Sequence, residues 1–214
     1  MSELFLVIDT STQQGFAALF RGSSCIKEVM LPHGFRNSRT LMPVLEEMFS
    51  SLEMKPQDLD FVAVGIGPGS YTGIRVGVVV AKMIHYSCKI PLVGVCSLTA
   101  FAPSREGKFA SLLDARVSGV YVLEGERKEG EIAWSAEPEA VPLEKFSPNT
   151  YDVLVTPHEK LMDKIPTDTP WEIAAPDADS LAMQALSRFR SGDISGDGRI
   201  DILYLRKTQA ELER

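Results

Sequence analysis

Residues 61–84, FVAVGIGPGSYTGIRVGVVVAKMI, constrain the fold of this chain more than any other stretch. The run at 61–66 is rich in β-branched and aromatic residues, as in a short buried strand, and Gly65, Gly67, Pro68 and Gly69 end it in a turn. Ser70 or Thr72 can cap a helix that begins near Gly73 and persists to about His85. At about 100° per residue, Gly73, Gly77 and Ala81 line one stripe of that helix. Val76, Val79, Val80, Met83 and Ile84 cover the adjoining face, and Arg75 and Lys82 leave a narrow polar strip. A surface helix of a monomer does not need to be so apolar. Burial on two sides is therefore expected, against its own sheet and, through the bare glycine stripe, against a partner chain. On that expectation Gly77→Leu weakens association and leaves most of the fold intact.

The same turn invites a phosphate-binding reading, because N–H groups at a helix start can hold an anion. The spacing matches neither common template. G-x-G-x-x-G fails at Ser70 when counted from Gly65, and at Thr72 when counted from Gly67. The Walker A pattern fails because Ile74 and Arg75 follow Gly73. A structural turn and a ligand loop both stay open.

Composition narrows the class. A chain of 214 residues, 44% hydrophobic, can bury a substantial core as one domain or two small lobes. A formal charge of −7 gives no basic footprint for nucleic acid. Cys25, Cys88 and Cys96 have no C-x-x-C spacing and suit reduced thiols rather than a disulfide framework or zinc ribbon. The apolar run at 4–8 is interrupted by Asp9 and lacks the positive flank of a signal peptide. No apolar stretch reaches membrane-spanning length. A soluble, cytoplasmic protein with no membrane partner is expected.

Along the first half, residues 4–8, 16–20 and 26–30 read as three short strands of an antiparallel meander. Leu41, Leu45, Met48, Phe49 and Leu52 recur at helical spacing, with Pro43 either in the first turn or bending the helix. The strand and glycine helix come next, then a buried strand at 92–96. After Pro103 the character changes. Residues 110–113 and 120–123 look like a strand pair, 132–135 a further strand, and 152–155 and 173–174 short strands. Asp177 or Asp179 can cap a helix reaching Phe189. Residues 191–199, SGDISGDGR, read as a solvated loop that lacks the ligand spacing of a calcium loop. Pattern alone supports α/β or α+β.

Four segments together carry a family resemblance: GIGPGSYTGIRVGVVVAK at 65–82, LVIDTST at 6–12, LLDARVSGVY at 112–121 and LYLRK at 203–207. The chain resembles the TsaB (YeaZ) family, the non-catalytic partner in bacterial tRNA threonylcarbamoyladenosine synthesis. The resemblance implies an α/β fold of the actin-like/sugar-kinase/Hsp70 (ASKHA) group in two small lobes, the second shortened. The expected lobes are residues 1–103, with the partner-binding helices, and 104–214. It implies an accessory subunit rather than an enzyme in its own right. Expected partners are a TsaD-like catalytic subunit and a TsaE-like ATPase, with a homodimer in isolation and only indirect contact with tRNA. No cofactor is expected on this chain alone, and ATP with Mg only at the level of the complex.

The resemblance also assigns residues. Partner binding falls to Leu41, Leu45, Met48, Gly73, Arg75, Val76, Gly77, Val80, Ala81 and Ile84. A nucleotide or turn role falls to Asp9, Thr10, Ser11, Gly67, Gly69, Ser70 and Thr72. Actin-like ATPases usually carry D-x-G-[ST] at the first strand end, where glycine lets the backbone approach phosphate. Here Ser11 holds the glycine position, and the bland reading is that Asp9, Thr10 and Ser11 satisfy backbone donors of the turn. The catalytic paralogue holds a metal with two histidines four residues apart on one helix. His33, His85 and His158 offer no such pair, and Asn37-Ser38-Arg39 stands where related chains commonly read H-S-E. No G-x-S-x-G elbow or H-E-x-x-H is present. Asp114 and Arg116 suggest a surface or interlobe salt bridge, and Tyr204 and Arg206 an anchor for the terminal segment. No catalytic or metal residue is therefore expected. The competing reading is a stand-alone small-molecule kinase or ATPase using Asp9 and the turn at 67–72.

Overall fold

The computed structural model describes residues 2–34, 37–116, 119–134 and 137–205. They divide into two compact units: Met1–Ala100 with Pro176–Ile202, and Phe101–Ala175 with the described residues after Ile202.

The first unit is built on a five-stranded sheet. Its strands are β1 (Leu4–Asp9), β2 (Phe16–Arg21), β3 (Ser24–Met30), β4 (Phe61–Gly65) and β5 (Leu92–Val95), in the order β3-β2-β1-β4-β5. The first three form the expected antiparallel meander, and β1, β4 and β5 run parallel. Every residue of β1 and β4 is buried, which is why both read as continuous apolar runs rather than alternating ones. Helices α1 (Asn37–Ser51) and α2 (Tyr71–Cys88) cover one face. There Leu41, Leu45, Met48, Ile74, Val78 and Ala81 share a core with Leu6, Ile8, Val62 and Val64. Pro43 lies inside α1, beyond its first turn.

Successive strand side chains alternate in face, so Phe5 and Phe61 point the other way. Phe5, Phe61 and Phe189 stack there at centroid spacings of 4.4 and 4.2 Å. Phe189 belongs to α4 (Ala178–Ser191), started by Asp177, which accepts from the amides of Asp179 and Ser180, and ended by Gly192 at φ +80°. This corrects the boundary drawn at 103/104, which put α4 in the second lobe. Leu181, Ala182, Ala185 and Leu186 of α4 are all buried, and the sheet face that covers them is the first unit's. Arg190 also pairs with both carboxylate oxygens of Glu3, at 2.9 and 2.8 Å, and holds that carboxyl down at about 2.

The segment at 191–199 is largely exposed, as its polarity suggests, but it is tied to the sheet at one point. Ser195 exchanges two backbone hydrogen bonds with Leu92, at 3.2 and 2.8 Å, and so covers part of the outer edge of β5.

The second unit holds β6 (Gly107–Asp114), β7 (Val120–Lys128), β8 (Glu131–Trp134), β9 (Glu139–Val141), β10 (Val153–Thr156) and β11 (Trp171–Ile173). Their order is β11-β10-β6-β7-β8, with β9 also on β7. Strands β6, β10 and β11 are parallel and the other pairings antiparallel. Helix α3 (Lys160–Lys164) places Leu161 against Ala110, Leu112, Val122 and Leu154.

Candidate functional site

Two turns meet at the carboxyl ends of β1 and β4, and the glycines of the 65–77 segment are what let them meet. A side chain on Gly73 would stand 2.1 Å from the Thr10 carbonyl oxygen, and one on Gly69 2.4 Å from that of Ser11. The Thr10 hydroxyl donates to the Gly73 carbonyl at 2.7 Å and accepts from the Gly77 N–H at 3.0 Å. The four-residue glycine spacing thus matches one hydroxyl docked against one helical turn. This corrects the reading of that stripe as a helix-to-partner surface. Gly73, Gly77 and Ala81 are buried inside their own unit, and Gly77→Leu would strike the Thr10 hydroxyl and Val64.

Three amides of the turn and helix start are engaged within the chain. The Ser70 N–H donates to the Ser11 carbonyl at 2.6 Å, the Gly67 N–H to Ser97 Oγ at 3.1 Å, and the Gly73 N–H to Ser70 Oγ, the cap of α2, at 3.2 Å. Thr72 is exposed and Gly69 half-buried. Asp9 is 3% exposed, and its Oδ1 accepts the Ser11 N–H at 2.7 Å. Its Oδ2 lies where a Gly65 side chain would begin and completes no hydrogen bond, nor does the buried Ser11 hydroxyl. Burial pushes the Asp9 carboxyl up, against the opposing pull of the nearby Ser97 and Ser11 hydroxyls and the Ser11 N–H. A carboxyl so enclosed, with Ser11 in the glycine position, does not fit a phosphate or metal cradle. Among the described residues no group of three or more His, Cys, Asp or Glu could hold a metal ion.

The outward side of α2 has the opposite character. Tyr71, Val79, Met83 and Tyr86 are 46, 55, 55 and 62% exposed, and Met42 on the neighbouring α1 is 49% exposed. Arg75 lies among them, its guanidinium 3.8 Å from the centre of the Tyr71 ring and donating to the Tyr71 hydroxyl. Of the expected partner-binding residues, Arg75 is exposed and Val76 and Ile84 are half-buried. Leu41, Leu45, Met48, Val80 and Ala81 are core, as are Gly73 and Gly77, and are corrected on that ground. The large exposed side chains that were not among the expected residues are Tyr71, Val79, Met83, Tyr86 and Met42. Their signal was the side of the helical wheel away from the glycines, where large apolar residues recur without small ones.

In the second unit Asp114 pairs with Lys164 at 2.7 Å, while Arg116 reaches it only through its backbone N–H, at 2.8 Å. The surface salt bridge expected at Asp114 is thus made with Lys164 rather than Arg116. Burial pushes the Asp114 carboxyl up, but Lys164 and the Arg116 amide outweigh it and leave it below its usual value. His158 Nδ1 accepts the Asp114 N–H at 3.2 Å, and burial holds its imidazole below the ordinary value against the Asp114 charge. Tyr204 is exposed, and Arg206 and Lys207 lie outside the described residues. No described helix is long and apolar enough to cross a membrane.

Comparison with known proteins gives a consistent placement. Residues 36–176 match the family model for TsaD, tRNA N6-adenosine threonylcarbamoyltransferase. The tRNA threonylcarbamoyladenosine biosynthesis protein TsaB of Bacillus subtilis is 37% identical over 119 residues, covering 54% of this chain and 52% of that protein. The protein of the same name from Escherichia coli is 29% identical over 142 residues, covering 64% and 61%. The chain thus spans about half to three fifths of the length of these curated relatives. In structure it resembles YeaZ from Pseudomonas aeruginosa, with a TM-score of 0.80 at 20% identity over 91% of this chain and 95% of that one. A crystal structure of an uncharacterized protein with similarity to peptidase YeaZ from Pseudomonas aeruginosa gives 0.84 at 21% identity, over 96% and 100%. The fold is therefore of the YeaZ type, α/β and ASKHA-like, as expected. With the TsaD model spanning both units and the TsaB and YeaZ likenesses agreeing, the chain belongs to the TsaB/YeaZ family of TsaD-related proteins.

Proposed function

We propose that this chain is an accessory subunit in tRNA threonylcarbamoyladenosine biosynthesis, the process for which its curated relatives are named. It binds a TsaD-like catalytic subunit through the outer side of α2 and the adjoining α1, and holds that subunit in a productive state. The observation that carries this reading is the exposed row Tyr71, Val79, Met83 and Tyr86, with Met42 also exposed on α1. Large apolar side chains in one contiguous patch mark an interaction surface when they are not scattered singly. Two helices from each partner would form a small bundle, burying roughly 1,200–2,000 Å² in a stable contact. In the absence of the partner the same face pairs two copies of this chain.

The enclosed Asp9 turn supports a non-catalytic role, because the amides of Gly67, Ser70 and Gly73 are engaged within the chain. A formal charge of −7 supports indirect rather than direct contact with tRNA. A TsaE-like ATPase joins the pair, ATP and Mg act at the level of the complex, and the assembly works in the cytoplasm.

An omission experiment tests the reading. TsaD-like and TsaE-like subunits receive threonylcarbamoyl-adenylate and unmodified tRNA, with or without this chain. Modification only in its presence is the expected result. Equal modification without it overturns the accessory role and turns attention to nucleotide turnover at Asp9.

A further inference from the structure

Strands β6 and β10 run parallel, and their last partners are Ser111 and Val155. Asp114 and His158 each lie three residues further along their segments, and there the backbone ladder gives way to a side chain. After Pro157 the chain turns into α3. The His158 N–H donates to Thr156 Oγ1 at 3.1 Å, and the His158 carbonyl accepts from Leu161 at 2.8 Å. The imidazole held by this turn meets the end of β6, where its Nδ1 accepts the Asp114 N–H at 3.2 Å. A second tie spans the same gap: Lys164 Nζ, at the far end of α3, donates to Asp114 Oδ2 at 2.7 Å.

The donor in the first tie is a backbone amide, and a backbone N–H only donates. The bond therefore requires a lone pair on Nδ1 and leaves the ring proton on Nε2. Imidazolium carries protons on both nitrogens and accepts nothing. Protonation would set Nδ1–H against the Asp114 N–H and leave that amide without its partner, so the bond and the charged ring exclude each other. Burial, the largest influence on the ring, disfavours the charge. The Asp114 carboxylate on β6 favours it and Lys164 on α3 opposes it, and the balance holds the imidazole below its ordinary value. Arg116, Glu159 and Lys160, the charged neighbours along the two segments, are exposed.

We propose that His158 is a proton-operated latch in the second unit: neutral, it ties the end of β6 to the start of α3, and protonated, it releases the Asp114 amide and loosens the turn at 114–116. The neutral form is favoured in the fold. The tie thus contributes stability in full above the unfolded value of 6.5 and loses it as pH falls through the lower folded value. The Asp114 carboxyl, held below 3.8 chiefly by Lys164 against the opposing effect of burial, stays ionised across that window and does not confuse the readout. His158 lies in the other unit from α2, so the latch does not depend on the interface reading.

The test is histidine NMR titration and amide hydrogen exchange on the full chain. At neutral pH the His158 ring should carry its proton on Nε2. As pH falls from about 8 to about 5, protection of the Asp114 N–H, corrected for the intrinsic pH dependence of exchange, should drop ~10-fold in step with the His158 titration. His158→Asn offers a carbonyl oxygen that takes up no proton in this range, and its Asp114 protection should not vary with pH. His158→Phe removes the acceptor and should show the low protection throughout. Asp114 protection that stays flat through the His158 titration overturns the latch, as does a neutral ring protonated on Nδ1. An equal drop in His158→Asn also overturns it, since another group would then be the sensor. The titration of the parent chain decides the question whether or not the variants fold.

Discussion

The two sides of α2 present the same helix to two different surroundings. Inward, Gly73 and Gly77 are stripped to backbone so that the Thr10 hydroxyl can lie across a helical turn, and Ala81 continues that stripe at 0% exposure. Outward, Tyr71, Val79, Met83 and Tyr86 keep large apolar side chains in solvent. The inner side is small because something already fills the space, and the outer side keeps large side chains that stay about half exposed. Small residues on a helix therefore say that a backbone is approached closely, and only the fold says by what. Recognition can be carried by the side that looked less specialised.

The largest expected effect breaks this contrast from the inside. Gly77→Leu places a side chain 2.7 Å from Thr10 Oγ1 and 3.4 Å from Val64 at its first carbon alone. Urea unfolding of the isolated chain should show a loss of about 3 kcal/mol, at the upper end of overpacking costs. Unchanged stability, with only partner affinity reduced, would return the stripe to the role of an interface. Thr10→Val should cost about 1–2 kcal/mol, because it keeps the shape of the side chain and removes the hydroxyl that meets both Gly73 and Gly77. A midpoint in urea equal to that of the parent chain would show that the hydroxyl adds nothing to the packing.

Why the inner contact escaped a reading of the sequence is a matter of distance along the chain. Thr10 and Gly73 are 63 residues apart, and periodicity reports which side of an element is special without naming what it meets. The strands of the first unit were legible because β1 and β4 are buried throughout, so their apolar runs are unbroken. Helix α4 was legible as a helix from its cap and its apolar stripe, but not the sheet it covers, since Phe189 meets Phe61 far away in sequence. Short elements such as α3 and β9 span too few residues for any period to show. Asp114 was paired with Arg116 by proximity, whereas Lys164, 50 residues on, holds its carboxylate. The outer row of α2 was written in the sequence, and the distinctive glycines drew attention to the side that packs inside the unit.

A pH measurement sharpens the inner side further. The Asp9 carboxyl is pushed up by burial, so in the folded chain it stays protonated to higher pH than in the unfolded chain. Its contribution to stability is therefore fully present below the unfolded value of 3.8 and declines as pH rises toward the folded one. Asp9→Asn keeps an acceptor for the Ser11 N–H and cannot ionise. Relative to the parent chain it should gain stability as pH rises from below 4 to neutrality, in unfolding curves taken at each pH. A difference between the two that does not vary with pH would mean that Asp9 is as readily ionised in the fold as out of it.

The smallest effect on the fold is expected on the outer side, and it is the sharpest contrast with Gly77. Met83 is already 55% exposed, so Met83→Ser takes little apolar area out of the core and should change stability by no more than about 0.5 kcal/mol. If the outer row is where a partner packs, the same substitution should weaken binding of the TsaD-like subunit by about tenfold, as expected of a residue buried only in the complex. Stability and affinity would then respond in opposite order at Gly77 and Met83, although both lie on one helix. A Met83→Ser chain that loses several kcal/mol in urea would place Met83 in the core. One that binds the partner as the parent does would remove it from the interface. Either result would erase the distinction between the two sides at the point where it is most exposed to test.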